Sequence, residues 1–187
     1  MNYVEYKIGN SRLIIIEGDI TKQVTYAIVN AADKELSVGG GVSGAIHKVA
    51  GPKLIEECQT LGGCNTGEAK LTKGYNLPAQ YVIHTVGPIY HGKPEDSQYL
   101  AKSYLSCLEL ASKKSLKSIA FPSISTGIYG YPVKEASMIA ITAIIEYLQE
   151  HKEIERVRMV LYSEGDYKIY RDTARAVLKK HGLSDDC

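Results

Sequence analysis

Val29-Asn30-Ala31-Ala32-Asp33 leaves a short apolar run, passes through Lys34 to Val38, and reaches Gly39-Gly40-Gly41-Val42 at the start of a helix-like stretch. A strand that turns through glycines into a helix is the repeating unit of an α/β sheet protein. The same grammar recurs at Ser118 to Phe121, where an apolar run enters Pro122-Ser123-Ile124-Ser125-Thr126-Gly127-Ile128-Tyr129-Gly130 and then a helical segment. Outward from these two, Ile- and Val-rich runs mark strands at Leu13 to Ile16, Ala27 to Val29, Tyr81 to Val86 and Arg156 to Tyr162, with weaker ones at Val4 to Ile8 and Ala69 to Thr72. Near-continuous apolar runs of this kind suit strands covered on both faces. Helices are expected over Val42 to Ala50, Pro52 to Leu61, Ser97 to Lys113, Val133 to His151 and Tyr167 to Lys180. In the fourth, Val133, Ala136, Ala140, Ile144, Ile145 and Leu148 recur every three or four residues, with Pro132 near its start. In the second, Pro52 opens the helix and Gly62-Gly63 stops it. The alternation predicts a three-layer α/β/α sandwich with a mixed, mainly parallel central sheet, and in such sheets ligands bind beyond the carboxyl ends of the strands.

The 187 residues suit one domain over 1–187, and 44% hydrophobic with 23% charged residues excludes disordered and collagenous classes. The polar tail 184–187 is expected to fray. A net charge of +1 is too small for a protein that holds nucleic acid by neutralising many phosphates, so an RNA-binding role is disfavoured and any phosphate must be gripped locally. The opening MNYVEYKIGN lacks a signal-peptide core, and Ala136 to Leu148 is too short to span a bilayer of about 30 Å, so a cytoplasmic, membrane-free monomer is expected. Cys58, Cys64, Cys107 and Cys187 form no Cys-x-x-Cys pair and no zinc spacing. Free thiols, no metal and no cofactor are the expectation.

Both glycine loops fall at the predicted ligand edge. Glycine lets backbone N–H groups converge and lets a ligand approach without a Cβ in the way, and helix N-termini add partial positive charge. Each loop alone could be a tight turn; as a pair they suit a diphosphate. Neither G-x-x-x-x-G-K-[ST] nor G-x-G-x-x-G is present, which demotes ATPase and dehydrogenase readings. Asp19 before Ile20-Thr21 could cap a turn or helix. Asn30 reads as structural, its amide tying the loop backbone together. His47 and His84 lie in apolar runs with no nucleophile paired to them, and read as packing residues.

Six segments in order resemble the macrodomain, the ADP-ribose-binding module. They are Gly18-Asp19-Ile20-Thr21, Ile28 to Ala32, Gly39 to Val42 with Gly44-Ala45-Ile46-His47, Gly67-Glu68-Ala69, Val82 to Pro88, and Ser125 to Gly130. The resemblance spans nearly the whole chain and is strongest to the MacroD-like branch. That branch includes hydrolases that remove mono-ADP-ribose from proteins and deacetylate O-acetyl-ADP-ribose. The resemblance implies that Asp19 accepts from the adenine amine, that the Ile20 N–H reaches the ring, and that Tyr162 packs on the adenine. It implies that Gly39, Gly40, Gly41 and Val42 line the distal ribose and one phosphate. Ser125, Thr126, Gly127, Ile128 and Tyr129 would wrap the diphosphate, with Tyr129 over the distal ribose.

The departure from the family falls on the chemistry. Hydrolytic members of the branch typically carry asparagine where this chain has Asp33, and aspartate where it has Ser43. Two outcomes for Asp33 are open: it supplies the missing carboxylate and orients water, or it repels the anionic ligand and makes binding more favourable in acid. Ser43 is no base unaided. The resemblance thus implies a hydrolase acting through Asp33 and Tyr129 on ADP-ribosylated protein or O-acetyl-ADP-ribose. The alternative is a reader that binds ADP-ribose without turning it over.

Overall fold

The computed structural model describes residues 2–183; the tail expected to fray, 184–187, lies outside the described residues, as does Cys187. Strands β1 (Tyr3–Ile8), β2 (Ser11–Glu17), β3 (Ala27–Ala31), β4 (Ala69–Lys73), β5 (Tyr81–Thr85), β6 (Ser118–Phe121) and β7 (Arg156–Leu161) form one sheet in the order β1-β2-β7-β6-β3-β5-β4. The five inner strands run parallel, while β1 and β4 pair antiparallel with β2 and β5 at the two edges.

Helices α3 (Pro94–Lys113), α4 (Val133–Glu150) and α5 (Glu164–Lys180) cover one face, and α1 (Gly41–Ala50) and α2 (Pro52–Gln59) the other. The strand sequences explain this directly. Along β7, Val157, Met159 and Leu161 enter the α3–α4–α5 core while Val160 enters the α1–α2 core. In β3, Ala27 and Val29 face one core and Ile28 the other, all fully buried. Burial of each such Val or Ile is worth about 1.5–3 kcal/mol, and a one-residue slip would exchange the faces, so the pattern locks the register. That register places Asn30 and Ala31 at the carboxyl end of β3, where the first loop begins.

Two helices start earlier than periodicity predicts, for the same reason: a cap precedes the apolar repeat. The Asp96 carboxylate accepts from the backbone N–H of His91 (2.8 Å) and Lys93 (3.1 Å), and Pro94 opens α3 three residues before Ser97. The Ser163 hydroxyl accepts from Asp166 N–H (3.2 Å) and starts α5 at Glu164, not Tyr167. Gly51, with φ +88°, ends α1 and begins α2, a bend that only glycine makes without strain. Among the described residues no helix is long and apolar enough to cross a membrane.

Candidate functional site

The two glycine loops meet. A cavity of about 400 Å³ opens at the carboxyl ends of the central strands, with Asp33 and Gly39–Gly41 on one side and Ser125, Gly127, Ile128 and Tyr129 on the other. Val42 and Ser43 also line it. Gly40 caps α1 with no side-chain hydrogen bond, so the N-terminal amides of that helix are left to a ligand. Gly39 (φ +58°) and Gly41 (φ +54°) adopt the left-handed conformation that turns those amides inward. Opposite them Ser125 adopts the same region with φ +67°, at a cost of about 1–2 kcal/mol for a residue with a Cβ. Its hydroxyl is buried and has no partner among the described residues, and its residue lines the cavity.

Three of the expected binding residues lie elsewhere. Asp19, Ile20 and Tyr162 do not line this cavity; they cluster at the ends of β2 and β7, where Gly18 N–H donates to Leu161 O (2.8 Å). Asp19 does cap a 3-10 turn over Ile20–Lys22, its Oδ1 accepting from Thr21 N–H (2.9 Å) and Thr21 Oγ1 (2.7 Å). Tyr162 is 89% exposed, so its ring serves no core and is free to face a planar group. Thr126 is not a lining residue either: its hydroxyl donates to Ser123 Oγ (2.8 Å) and holds the loop.

Asp33 is engaged. Its Oδ1 accepts from Ser37 N–H (2.8 Å) and its Oδ2 from the Ser37 hydroxyl, so the carboxylate caps its own loop. Ser43, on the first turn of α1, receives Asn30 Nδ2 at 3.2 Å. The expectation for Asn30 is corrected here: the role is structural, but the partners are side chains and not loop backbone, because the buried end of β3 faces α1 and β5. Asn30 Nδ2 also stands 3.2 Å from His84 Nδ1, and His84 Nε2 lies 2.9 Å from Thr72 Oγ1. With Nδ1 accepting from Asn30, Nε2 carries the proton and donates to Thr72. Burial, then the neighbouring His47, pushes His84 down to about 3, so the ring is neutral and packs as expected.

His47, like His84 expected to pack, differs from it in its partners. It is buried, neither ring nitrogen has a partner among the described residues, and it sits one helical turn after Ser43. Burial lowers its pKa while the charge of Asp33 pulls the other way, which places it in the electrostatic field of the site. The i, i+4 spacing of Ser43 and His47 on a helix entering from the glycine loop was the available signal. Tyr129 is likewise coupled: burial, then Asp33 and Glu35, raise its phenol above the ordinary value. Gly87 was also missed. A Cβ there would meet Ser125 Oγ at 2.1 Å, so β5's exit and the second loop can touch only through glycine. Among the described residues no group of His, Cys, Asp or Glu is arranged to hold a metal ion.

This fold, with paired glycine loops over the carboxyl edge, matches the Macro domain family over residues 29–140. A Macro domain-containing protein of Chlorobaculum tepidum is 53% identical over 162 residues, 86% of this chain and 94% of that protein. ADP-ribose glycohydrolase MACROD1 of Bos taurus is 50% identical over 173 residues, 91% of this chain and 53% of that protein. The chain therefore spans about half the length of that relative. The Oceanobacillus iheyensis macrodomain solved with ADP superposes with a TM-score of 0.93 at 45% identity, covering 96% of this chain and 98% of that one. The chain belongs to the Macro domain family.

Proposed function

We propose that the protein binds ADP-ribose across the paired loops and hydrolyses the bond between the distal ribose and an acyl group. The observation that carries this is one cavity lined both by the uncapped N-terminus of α1 and by the glycine-containing loop through Ser125, Gly127 and Tyr129. Backbone donors from two loops suit a diphosphate, and the family relative named ADP-ribose glycohydrolase supports the ribose assignment. Asp19 with Tyr162 would hold the adenine at the β2–β7 edge, and Tyr129 would cover the distal ribose. Water adds across the acyl–ribose bond, releasing a carboxylic acid and a free ribose hydroxyl. The same attack on O-acetyl-ADP-ribose would release acetate. A modified protein carboxylate is the proposed main substrate.

One observation favours a second reading. Both oxygens of Asp33 are occupied by Ser37 and Ser43 brings no carboxylate, so a binding module with slow turnover is the alternative. Calorimetric titration with ADP-ribose, against AMP and NAD, tests the site: ADP-ribose is expected to bind selectively, and its failure to do so would remove the assignment. Turnover of a mono-ADP-ribosylated protein then separates enzyme from reader. In Ser43→Asp, which restores a carboxylate one turn before His47, the rate is expected to rise about 10²-fold, the low end of what a positioned base supplies.

A further inference from the structure

A second cavity, of about 690 Å³, adjoins the first and shares Asp33, Gly87 and Tyr129 with it. Of the shared residues, Tyr129 is expected over the distal ribose and Asp33 at the reacting bond, so this cavity begins where the bond to an acceptor would leave the sugar. We propose that it receives the polypeptide segment bearing the ADP-ribosyl group, with an apolar side chain beside the modified residue lying against Ile89 and Tyr99. This rests on the ADP-ribose reading of the adjoining cavity.

Three features of the walls point to polypeptide. Ile89 and Tyr99 are 54% and 44% exposed and line the same cavity, large side chains left open to solvent among the described residues. Aromatic residues are enriched at protein interfaces for their large, stiff contact area. Next, the lining is net acidic: Lys34 and Lys93 stand against Asp33, Glu35, Glu95 and Asp96. A nucleic-acid backbone would call for a net basic lining, whereas a chain of mixed composition would not.

The walls are also pre-formed. Next to Ile89, the Tyr90 N–H donates to Tyr129 O (2.9 Å) and its ring packs 4.8 Å from that of Tyr131. Tyr99 stands on α3 one turn before Ser103, whose hydroxyl bonds to both Tyr99 O (3.0 Å) and Val86 O (3.2 Å). A peptide laid here would meet groups already ordered, which lowers the entropic cost of binding.

The experiment compares free ADP-ribose with a short peptide carrying ADP-ribose through a non-cleavable linkage and an apolar residue beside it, both titrated calorimetrically. The peptide is expected to bind about tenfold more tightly, a difference of about 1.4 kcal/mol. Tyr99→Ala and Ile89→Ser, both at exposed positions, are expected to remove that gain and leave the affinity for free ADP-ribose within about twofold. Equal binding of the two probes, or a gain that survives both substitutions, overturns the inference alone. An equal gain from a modified oligonucleotide overturns its assignment to polypeptide. Silence from both probes overturns the reading of the first cavity and this one with it.

Discussion

The two loops that line the same cavity are anchored by opposite kinds of chemistry. The second loop hangs from tyrosines of the α3–α5 core. Tyr104 OH receives the Ile124 N–H (3.0 Å) and donates to Pro122 O (3.3 Å), and Tyr170 OH pairs with Ser123 Oγ at 2.6 Å. Burial raises both phenols, Tyr104 well above its ordinary value and Tyr170 to about 12, so these anchors do not change charge near neutrality. The first loop rests on other groups. It is held by the Asp33–Ser37 cap and by Ser43, Asn30 and His84 in series. A loop held by neutral phenols thus faces one held in part through His84, and the difference predicts which side yields first to acid.

Acid gives the largest test. His84 is held neutral, with its folded pKa pushed to about 3 against an ordinary 6.5, so the unfolded chain binds a proton that the folded chain refuses. Its contribution to stability is complete above pH 6.5 and is lost as pH falls from there toward about 3, at about 1.4 kcal/mol per pH unit. His47, also lowered by burial, acts in the same direction. Urea unfolding between pH 6.5 and the carboxylate range should show that slope, and His84→Gln, which keeps an acceptor for Asn30 but does not titrate, should flatten it. An unchanged slope would break the comparison.

Next comes Tyr104→Phe. It strands the Ile124 N–H and Pro122 carbonyl in the core, so a loss of about 1–3 kcal/mol is expected, measured as a shift of the denaturation midpoint with an unchanged slope. ADP-ribose affinity should fall with it, because the second loop loses its anchor. The smallest effect belongs to Ser37→Ala, which removes the exposed hydroxyl bond to Asp33 Oδ2, worth about 0.5–1 kcal/mol, while the backbone N–H still donates to Oδ1. If Asp33 is a water-orienting group restrained by Ser37, turnover should rise in this variant while stability drops; a fall in both would assign Asp33 to loop structure alone.

Much of this molecule is readable as pattern. Strands such as Val157 to Leu161 announce themselves because both faces are covered, and amphipathic helices such as Val133 to Glu150 because one face is not. Glycine loops at strand ends located the cavity for the same reason, since a backbone that must bend and donate leaves glycine in its wake. Side-chain hydrogen bonds left no such mark. Asp33 and Ser37 lie four apart, yet nothing local says that both carboxylate oxygens are used; Asn30 meets His84 only because β3 and β5 are neighbours in the sheet.

The order of strands, the pairing of the two loops across one opening and the second cavity behind Tyr129 all depend on how the chain returns to itself. Periodicity reports which face of an element is buried. It carries no record of what that face is buried against. Local sequence therefore settled the class of fold and the places where backbone would meet a ligand. Long-range packing settled which side chains there are spent on structure, as Asp33 is on Ser37, and which, like the Ser125 hydroxyl, remain buried and unpartnered among the described residues.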